Sequence, residues 1–151
     1  MTADFLFHAA TTTVLPAWLL LIFLPRWKWS AGLIVGSMIP ALLSLLYAAV
    51  IVVHWGGSEG GFGSLAEVSA LFDDPWLLLA GWVHYLAFDL FIGAWEVRDS
   101  QRMKIPHLLV VPCLLLTFVF GPVGLLMYLT LRGIRRRRFA IEEGGLATPT
   151  A

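Results

Sequence analysis

A histidine and an aspartate in the middle of one apolar run are the residues best suited to chemistry. His84 and Asp89 lie within the run 82–91, whose other members are almost all apolar. An ionisable side chain at membrane depth is costly and marks substrate sites, ion pathways or proton relays. A histidine can act as a base, and a neutral carboxylic acid can donate a proton. We therefore take Asp89 and His84 as the candidate catalytic residues.

On a helix that advances about 100° per residue, these two side chains are about 140° apart. One face carries His84, Phe88, Phe91 and Trp95, and the other carries Asp89, Trp82, Tyr85 and Glu96. The separation argues against a shared metal site or a hydrogen-bonded pair within this helix, and we expect no metal and no cofactor. Each residue must then find its partner on another segment, or serve only as an interhelical hydrogen bond. The candidate partners are Thr11, Thr12, Thr13, His8, Ser37, Ser44, His107 and Thr117. We assign Glu96, Arg98 and Asp99 to an interfacial charge cluster.

The composition is that of an integral membrane protein, because 59% of the 151 residues are hydrophobic and only 13% are charged. Four apolar runs, at about 5–24, 31–53, 76–95 and 107–131, have the length of roughly 20 residues that a membrane span requires. The predicted fold is all-α: a four-helix membrane bundle formed by residues 1–131. A basic juxtamembrane segment and a disordered tail follow at 132–151.

A short interfacial helix is expected before the third span. Ser64-Leu65-Ala66-Glu67 has the pattern of a capping box, in which the serine and glutamate bond each other's backbone amides. Asp74-Pro75 then supplies a capping carboxylate and a proline at the first helical position, so the third span should begin there.

The last apolar run contains Gly121-Pro122, which predicts either a kink or a reversal of the chain. We favour one kinked crossing, because two passes through 25 residues would reach only roughly 18 Å each. That choice leaves the orientation undecided, since Arg26, Lys28, Arg98, Arg102 and Lys104 fall on one side and Arg132 with 135–138 on the other. A re-entrant hairpin would instead place every one of these cations on the cytoplasmic side.

The arginine run Arg135, Arg136, Arg137 and Arg138 is expected to bind anionic lipid. The basic residues form short clusters at the ends of apolar runs, which does not suit nucleic acid. A single cysteine, Cys113, excludes an internal disulfide.

Three segments, 63–72, 80–91 and 120–124, resemble the abscisic-acid-deficient-four-like family. The combination Trp-x-His, Asp-Leu-Phe and a downstream Gly-Pro-x-Gly carries the resemblance. It implies a small four-span membrane protein, and plant members are required to make neoxanthin from violaxanthin in plastids. The site positions that the resemblance implies are Trp82, His84, Asp89, Phe91, Gly121, Pro122 and Gly124.

No transit peptide is recognisable at the amino terminus, so we expect a prokaryotic member in a bacterial inner membrane, with a substrate that the plant pathway does not identify. The first hypothesis is a cofactor-independent isomerase of a carotenoid or other isoprenoid, with Asp89 and His84 as acid and base in either order. Its apolar slot would be lined by Phe88, Phe91, Trp95 and the kinked last span, together with Trp82 and Tyr85. The alternatives are a non-catalytic carotenoid- or lipid-binding or assembly factor, and a proton or small-ion carrier that uses Asp89 as a relay.

Overall fold

A computed structural model describes residues 2–27, 30–57 and 60–136, and the described chain is helical, without strands. Helix α1 spans Ala3–Phe23. A π-helical segment, Ser30–Met38, leads directly into α2, Ile39–His54, which ends in a 3-10 turn at Trp55–Gly57. The remaining helices are α3 (Leu65–Leu71), α4 (Pro75–Arg102), α5 (His107–Phe120) and α6 (Pro122–Arg136). The predicted all-α class is confirmed.

Three helical stretches are long and apolar enough to cross a membrane: Ala3–Phe23, Ala31–Gly57 and Pro75–Arg102. Helix α5 is also apolar but has only 14 residues, which is short for a crossing. The predicted disordered tail, Lys28 and the arginines Arg137 and Arg138 lie outside the described residues, whereas Arg135 and Arg136 belong to the end of α6.

The predicted helix starts before the third span are confirmed. Ser64 Oγ accepts a hydrogen bond from the Glu67 amide (3.2 Å), and Glu67 Oε2 accepts one from the Gly63 amide (2.9 Å). At the start of α4, Asp74 Oδ1 accepts from the amides of Trp76 and Leu77. Ser64 and Asp74 satisfy amides that a helix leaves unpaired in its first turn. Glu67 bonds the Gly63 amide instead of the Ser64 amide that the capping box predicts.

Helix α4 is the centre of the bundle, with α1, α2 and α5 packed around it. Its residues Val83, Leu90, Ala94 and Val97 are completely buried. Close approach of α1 depends on Gly93, because a Cβ there would lie 2.6 Å from the Trp18 ring. These four apolar residues and Gly93 place α4 in the core of the bundle. Its different faces contact α1, α2 and α5.

The last apolar run reverses direction at Gly121, so the single kinked crossing that we favoured is wrong. Gly121 has a φ of +42°, a left-handed value that glycine adopts without strain, and Pro122 starts a new helix. Gly124 then packs on the backbone of Thr117, where a Cβ would be only 2.0 Å from the Thr117 nitrogen. The Tyr128 hydroxyl reaches Asp99, near the end of α4 where α5 begins. Helices α5 and α6 therefore form an antiparallel hairpin.

The hairpin gathers the described cations at one end of the bundle. Arg26 follows α1, Arg102 and Lys104 lie at the end of α4, and Arg132 and Arg135 lie near the end of α6. The acidic residues outside the core lie at the other end, at Asp4, Glu67, Asp73 and Asp74. A single crossing would have divided these cations between two sides of the membrane. With the hairpin, they lie at the same end of the bundle.

Candidate functional site

A stripe of polar residues on α4 faces the α5–α6 hairpin. Tyr85, Asp89, Glu96 and Asp99 fall within about 80° of one another on a helix of 100° per residue and extend along about 20 Å of its axis at 1.5 Å per residue. We call these four residues the acidic stripe. The hairpin supplies hydrogen-bond partners to Tyr85, Glu96 and Asp99, and at the level of Asp89 it supplies the close turn at Gly121.

Asp89 lies at the corner of the hairpin and is half-buried. A Cβ at Gly121 would be 2.7 Å from Asp89 Oδ1, so only glycine lets the chain turn this close to the carboxylate. One helical turn earlier, the Tyr85 hydroxyl donates to the Phe118 carbonyl (3.0 Å). Asp89 Oδ2 has no hydrogen-bond partner in the described part of the chain. Asp89 is thus the one carboxyl of the stripe that is partly exposed, and its buried Oδ2 is left for a ligand to bond once the site opens.

Glu96 occupies the middle of the stripe and is completely buried. Thr117 Oγ1 donates to Glu96 Oε1 (2.9 Å), while Oε2 has no hydrogen-bond partner among the residues described. Threonine 117 was a predicted partner for the buried polar residues of the third span, and it is the partner of Glu96. Burying a carboxyl with one unpartnered oxygen costs free energy. Packing alone therefore does not explain a glutamate at this position.

Asp99 closes the stripe at the basic end of the bundle. Its Oδ2 accepts from the Tyr128 hydroxyl (2.7 Å) and from Arg132 Nε (2.8 Å). The Asp99 and Arg132 side chains are each only 1% exposed. Arg102 Nη2, on the surface, is 3.8 Å from Asp99 Oδ1. Removing one partner of such a buried ion pair strongly destabilises the fold. The contacts of Asp99 therefore hold α6 against α4.

Glu96 and Asp99 do not lie in an interfacial cluster with Arg98, so that prediction is wrong. Both carboxyls are completely buried, because the returning α6 covers the end of α4. The spacing of Asp89, Glu96 and Asp99, at positions i, i+7 and i+10, was the signal that could have found them. Arg98 points elsewhere: its Nη1 donates to the Ala31 carbonyl in the π-helical segment.

His84 lies on the face of α4 that meets α2 and is exposed. Its ring stacks on Phe88, with centroids 4.5 Å apart, and contacts Tyr47 at 5.7 Å. The structure therefore keeps His84 and Asp89 on different faces and does not bring them together.

The other predicted binding residues are divided between the two faces. Phe88 and Phe91 line a groove of about 330 Å³ whose other walls are Gly36, Ser37, Pro40, Ala41, Ser44 and Ala87. Trp95 instead packs edge-on against Tyr128 of α6 (5.4 Å). Trp82 stacks on Tyr85 and donates from Nε1 to Thr11 (3.0 Å). At the corner itself, Pro122 is exposed and Gly124 is buried.

No group of three His, Cys, Asp or Glu side chains that could hold a metal ion is present among the described residues. The groups that the stripe and its partners present are carboxyl, phenol and hydroxyl groups. Such groups can donate and accept protons and hydrogen bonds in apolar surroundings.

Together these features define a small helical membrane protein in which a helical hairpin covers a row of carboxylic acids on the central helix. The family model described as ABA DEFICIENT 4-like matches residues 5–128. The chain belongs to the ABA DEFICIENT 4-like family, as its motifs predicted.

One relative is a plant protein. The chain is 23% identical over 145 residues to "Protein ABA DEFICIENT 4, chloroplastic" of Arabidopsis thaliana. The similarity covers 91% of this chain but only 64% of that protein, so the chain spans less than two thirds of its relative. No solved structure matches the chain.

Proposed function

We propose that this protein isomerises an oxygenated isoprenoid within the membrane, with Asp89 as the reacting acid and base. The observation that carries the proposal is the position of Asp89: a half-buried carboxyl at the hairpin corner whose Oδ2 has no hydrogen-bond partner in the described chain. The family resemblance supports an isoprenoid substrate class, because plant members are required for the conversion of one xanthophyll into another.

A single carboxyl suffices for this class of reaction. The acid gives its proton to the oxygen of an epoxide end group while the carbon–oxygen bond breaks. The carboxylate then removes a proton from a neighbouring polyene carbon, and the electron pair of that carbon–hydrogen bond forms the new double bond. No atom is gained or lost, no redox partner is needed, and Asp89 regains its proton. In this proposal the Tyr85 hydroxyl, one turn away, accepts a hydrogen bond from a hydroxyl of the end group, because its own proton is donated to the Phe118 carbonyl.

This assignment changes the role of His84. Since His84 lies on the face towards α2, with aromatic contacts to Tyr47 and Phe88, it does not serve as the second catalytic group in this proposal. The two residues then have separable effects, and the reaction can be tested by changing them one at a time.

The test is the pigment profile of a carotenoid-making bacterial host that expresses the protein. We expect Asp89→Asn to lower formation of the isomer by about 100-fold or more, since acid–base catalysis contributes at least that much. His84→Gln should retain most of the activity. Asp73→Asn, an equal change at an exposed aspartate, is the matched control. An Asp89→Asn protein that accumulates normally and keeps full activity would rule the proposal out.

A second function, binding of an apolar chain without reaction, is favoured by the groove between α2 and α4. Its walls combine small residues with Phe88 and Phe91, a lining that suits a flat hydrocarbon. Mass spectrometry of what co-purifies distinguishes the two functions. Ser44→Leu should fill the groove and expel a bound molecule, whereas Asp89→Asn should retain it. If the molecule is lost only in Asp89→Asn, the groove is not its site.

We also propose an orientation. The end of the bundle that carries Arg26, Arg102, Lys104 and Arg135 faces the cytoplasm, because cytoplasmic loops carry an excess of Lys and Arg. The arginines at 135–138 then contact anionic lipid of that leaflet. A bacterial inner membrane fits this arrangement.

A further inference from the structure

We infer a second ligand site, for the phosphate headgroup of an anionic lipid, at the basic end of the bundle. A cavity of about 1010 Å³ lies between the end of α1 and the turn that joins α4 to α5. It is separated from Asp89 by most of the length of α5, and it does not depend on the proposed isomerisation. Two cations, an aromatic ring and an apolar wall meet there.

The cations of the cavity are Arg26 and Lys104, both exposed. No Asp or Glu is among the described lining residues, and neither cation forms an ion pair with a described residue. Lys104 has a φ of +52°, in the left-handed region that side-chain-bearing residues rarely adopt. A glycine would suit that backbone better, and Lys104 instead brings a cation to the end of α4, where it lines the cavity.

The polar groups of the wall are arranged so that these cations remain available. Gln101 Nε2 donates to the Pro25 carbonyl (2.5 Å), and a ring nitrogen of His107 lies 2.9 Å from the Ile22 carbonyl oxygen. These two contacts occupy carbonyls at the end of α1 and hold the walls of the cavity together. What remains for a ligand is positive charge, which is complementary to a phosphate.

The apolar part of the wall opens towards the membrane. Phe23 is 72% exposed and Leu108 is 84% exposed, although both are large hydrophobic residues. Trp27 lies beside them, past the end of α1, where an indole ring anchors a protein at headgroup level. A molecule that fits this cavity therefore carries a negative phosphate at one end and acyl chains that lie against Phe23 and Leu108. An anionic phospholipid has this form.

Native mass spectrometry of the purified full chain tests the site with two lipids, phosphatidylglycerol and phosphatidylcholine. We expect the wild type to retain phosphatidylglycerol preferentially. Each cation near an anionic headgroup strengthens binding about five-fold, so Arg26→Gln with Lys104→Gln should weaken it by roughly 25-fold. The control, Arg102→Gln, removes a cation that lies outside the cavity, 3.8 Å from Asp99 Oδ1, and should weaken it by less than about three-fold. Equal losses in both variants would show diffuse surface attraction and overturn the site.

Two further arms use the wild type alone, so that they do not depend on how the variants fold. Excess inorganic phosphate should not displace phosphatidylglycerol, because the acyl chains contribute to binding; displacement would show a site for free phosphate and overturn the lipid assignment. Hydrogen exchange should slow in the backbone of 22–27 and 103–108 when phosphatidylglycerol, but not phosphatidylcholine, is added. Unchanged exchange in both stretches would also overturn the proposal.

Discussion

The polar residues on two faces of α4 differ in how far they are buried and in what they contact. On the face towards α2, His84 is exposed and its contacts are the rings of Tyr47 and Phe88. On the face towards the hairpin, Glu96 and Asp99 are completely buried and bonded to Thr117, Tyr128 and Arg132. His84 and Asp89 are only five residues apart in the same helix, yet only Asp89 lies on the face that carries Glu96 and Asp99.

The difference teaches that depth in a membrane helix does not by itself identify a site. A polar group at that depth is tolerated next to lipid when it has an apolar body and aromatic neighbours, as His84 does. A carboxyl is tolerated when other protein groups cover it and bond to it. The covering element here is the hairpin, which packs on one of the two faces only.

The largest expected effect is all-or-none and concerns the hairpin itself. In a Cys113→Ala background, cysteines placed at Lys104 and at Arg135 should both react with an impermeant maleimide from the same side of the membrane. A cysteine at Phe62, which is 76% exposed at the other end, should react only from the opposite side. Labelling of positions 104 and 135 from opposite sides would show a single crossing and leave Asp99 without its cover.

Much of the fold could be predicted from the sequence, because the signals were local. The caps at Ser64 and Asp74, and the assignment of His84 and Asp89 to different faces, follow from residue type and spacing. The hairpin could not be predicted, since Gly121-Pro122 allows a kink as well as a reversal. Length favoured the kink, but length counts only if both halves must cross the bilayer.

The buried ends of the stripe were missed for the same reason. Charged residues at the end of a span normally lie in the interface, and Glu96, Arg98 and Asp99 have that position in the sequence. Only the return of α6 buries two of the three. The site was therefore predictable where it depended on α4 alone and unpredictable where it depended on the path of another helix.

The second prediction concerns the ion pair that fastens the hairpin. Arg132→Gln leaves the buried Asp99 carboxylate with only the surface cation of Arg102, 3.8 Å away, and this should lower the free energy of unfolding by about 3 kcal/mol. The midpoint of thermal unfolding in detergent measures the change. Arg135→Gln, an equal substitution at an exposed arginine on the same helix, should shift it little.

A double substitution distinguishes a buried charge from lost packing. Arg132→Gln with Asp99→Asn removes both charges, so it should recover part of the stability lost in Arg132→Gln alone. If the loss of stability in the double variant equals the sum of the losses in Arg132→Gln and in Asp99→Asn, the pair is not coupled. The hairpin is then held to α4 by apolar contacts.

The third prediction concerns the close approach of α5 and α6. Gly124→Ala places a Cβ 2.0 Å from the Thr117 backbone nitrogen, and the helices must separate by enough to disturb the Thr117–Glu96 hydrogen bond. We expect a loss of about 1 to 3 kcal/mol in the free energy of unfolding, as for other overpacked sites. Gly32→Ala, at a glycine with nothing within 4 Å, is the control and should cost far less. Equal costs would show that the hairpin is looser than described.

The smallest expected effect is on the face towards α2, and it tests the comparison most directly. His84→Leu exchanges one exposed side chain for another that lipid solvates well, so it should change the free energy of unfolding by less than about 0.5 kcal/mol. Asp89→Leu inserts a branched side chain where a Cβ of Gly121 would already lie 2.7 Å from the carboxylate; it should cost about 1 to 3 kcal/mol. Thermal unfolding of the two variants under the same conditions compares the loss of stability in His84→Leu with that in Asp89→Leu. If His84→Leu costs as much as Asp89→Leu, the two faces are not distinguished by the hairpin, and His84 must have a structural partner of its own.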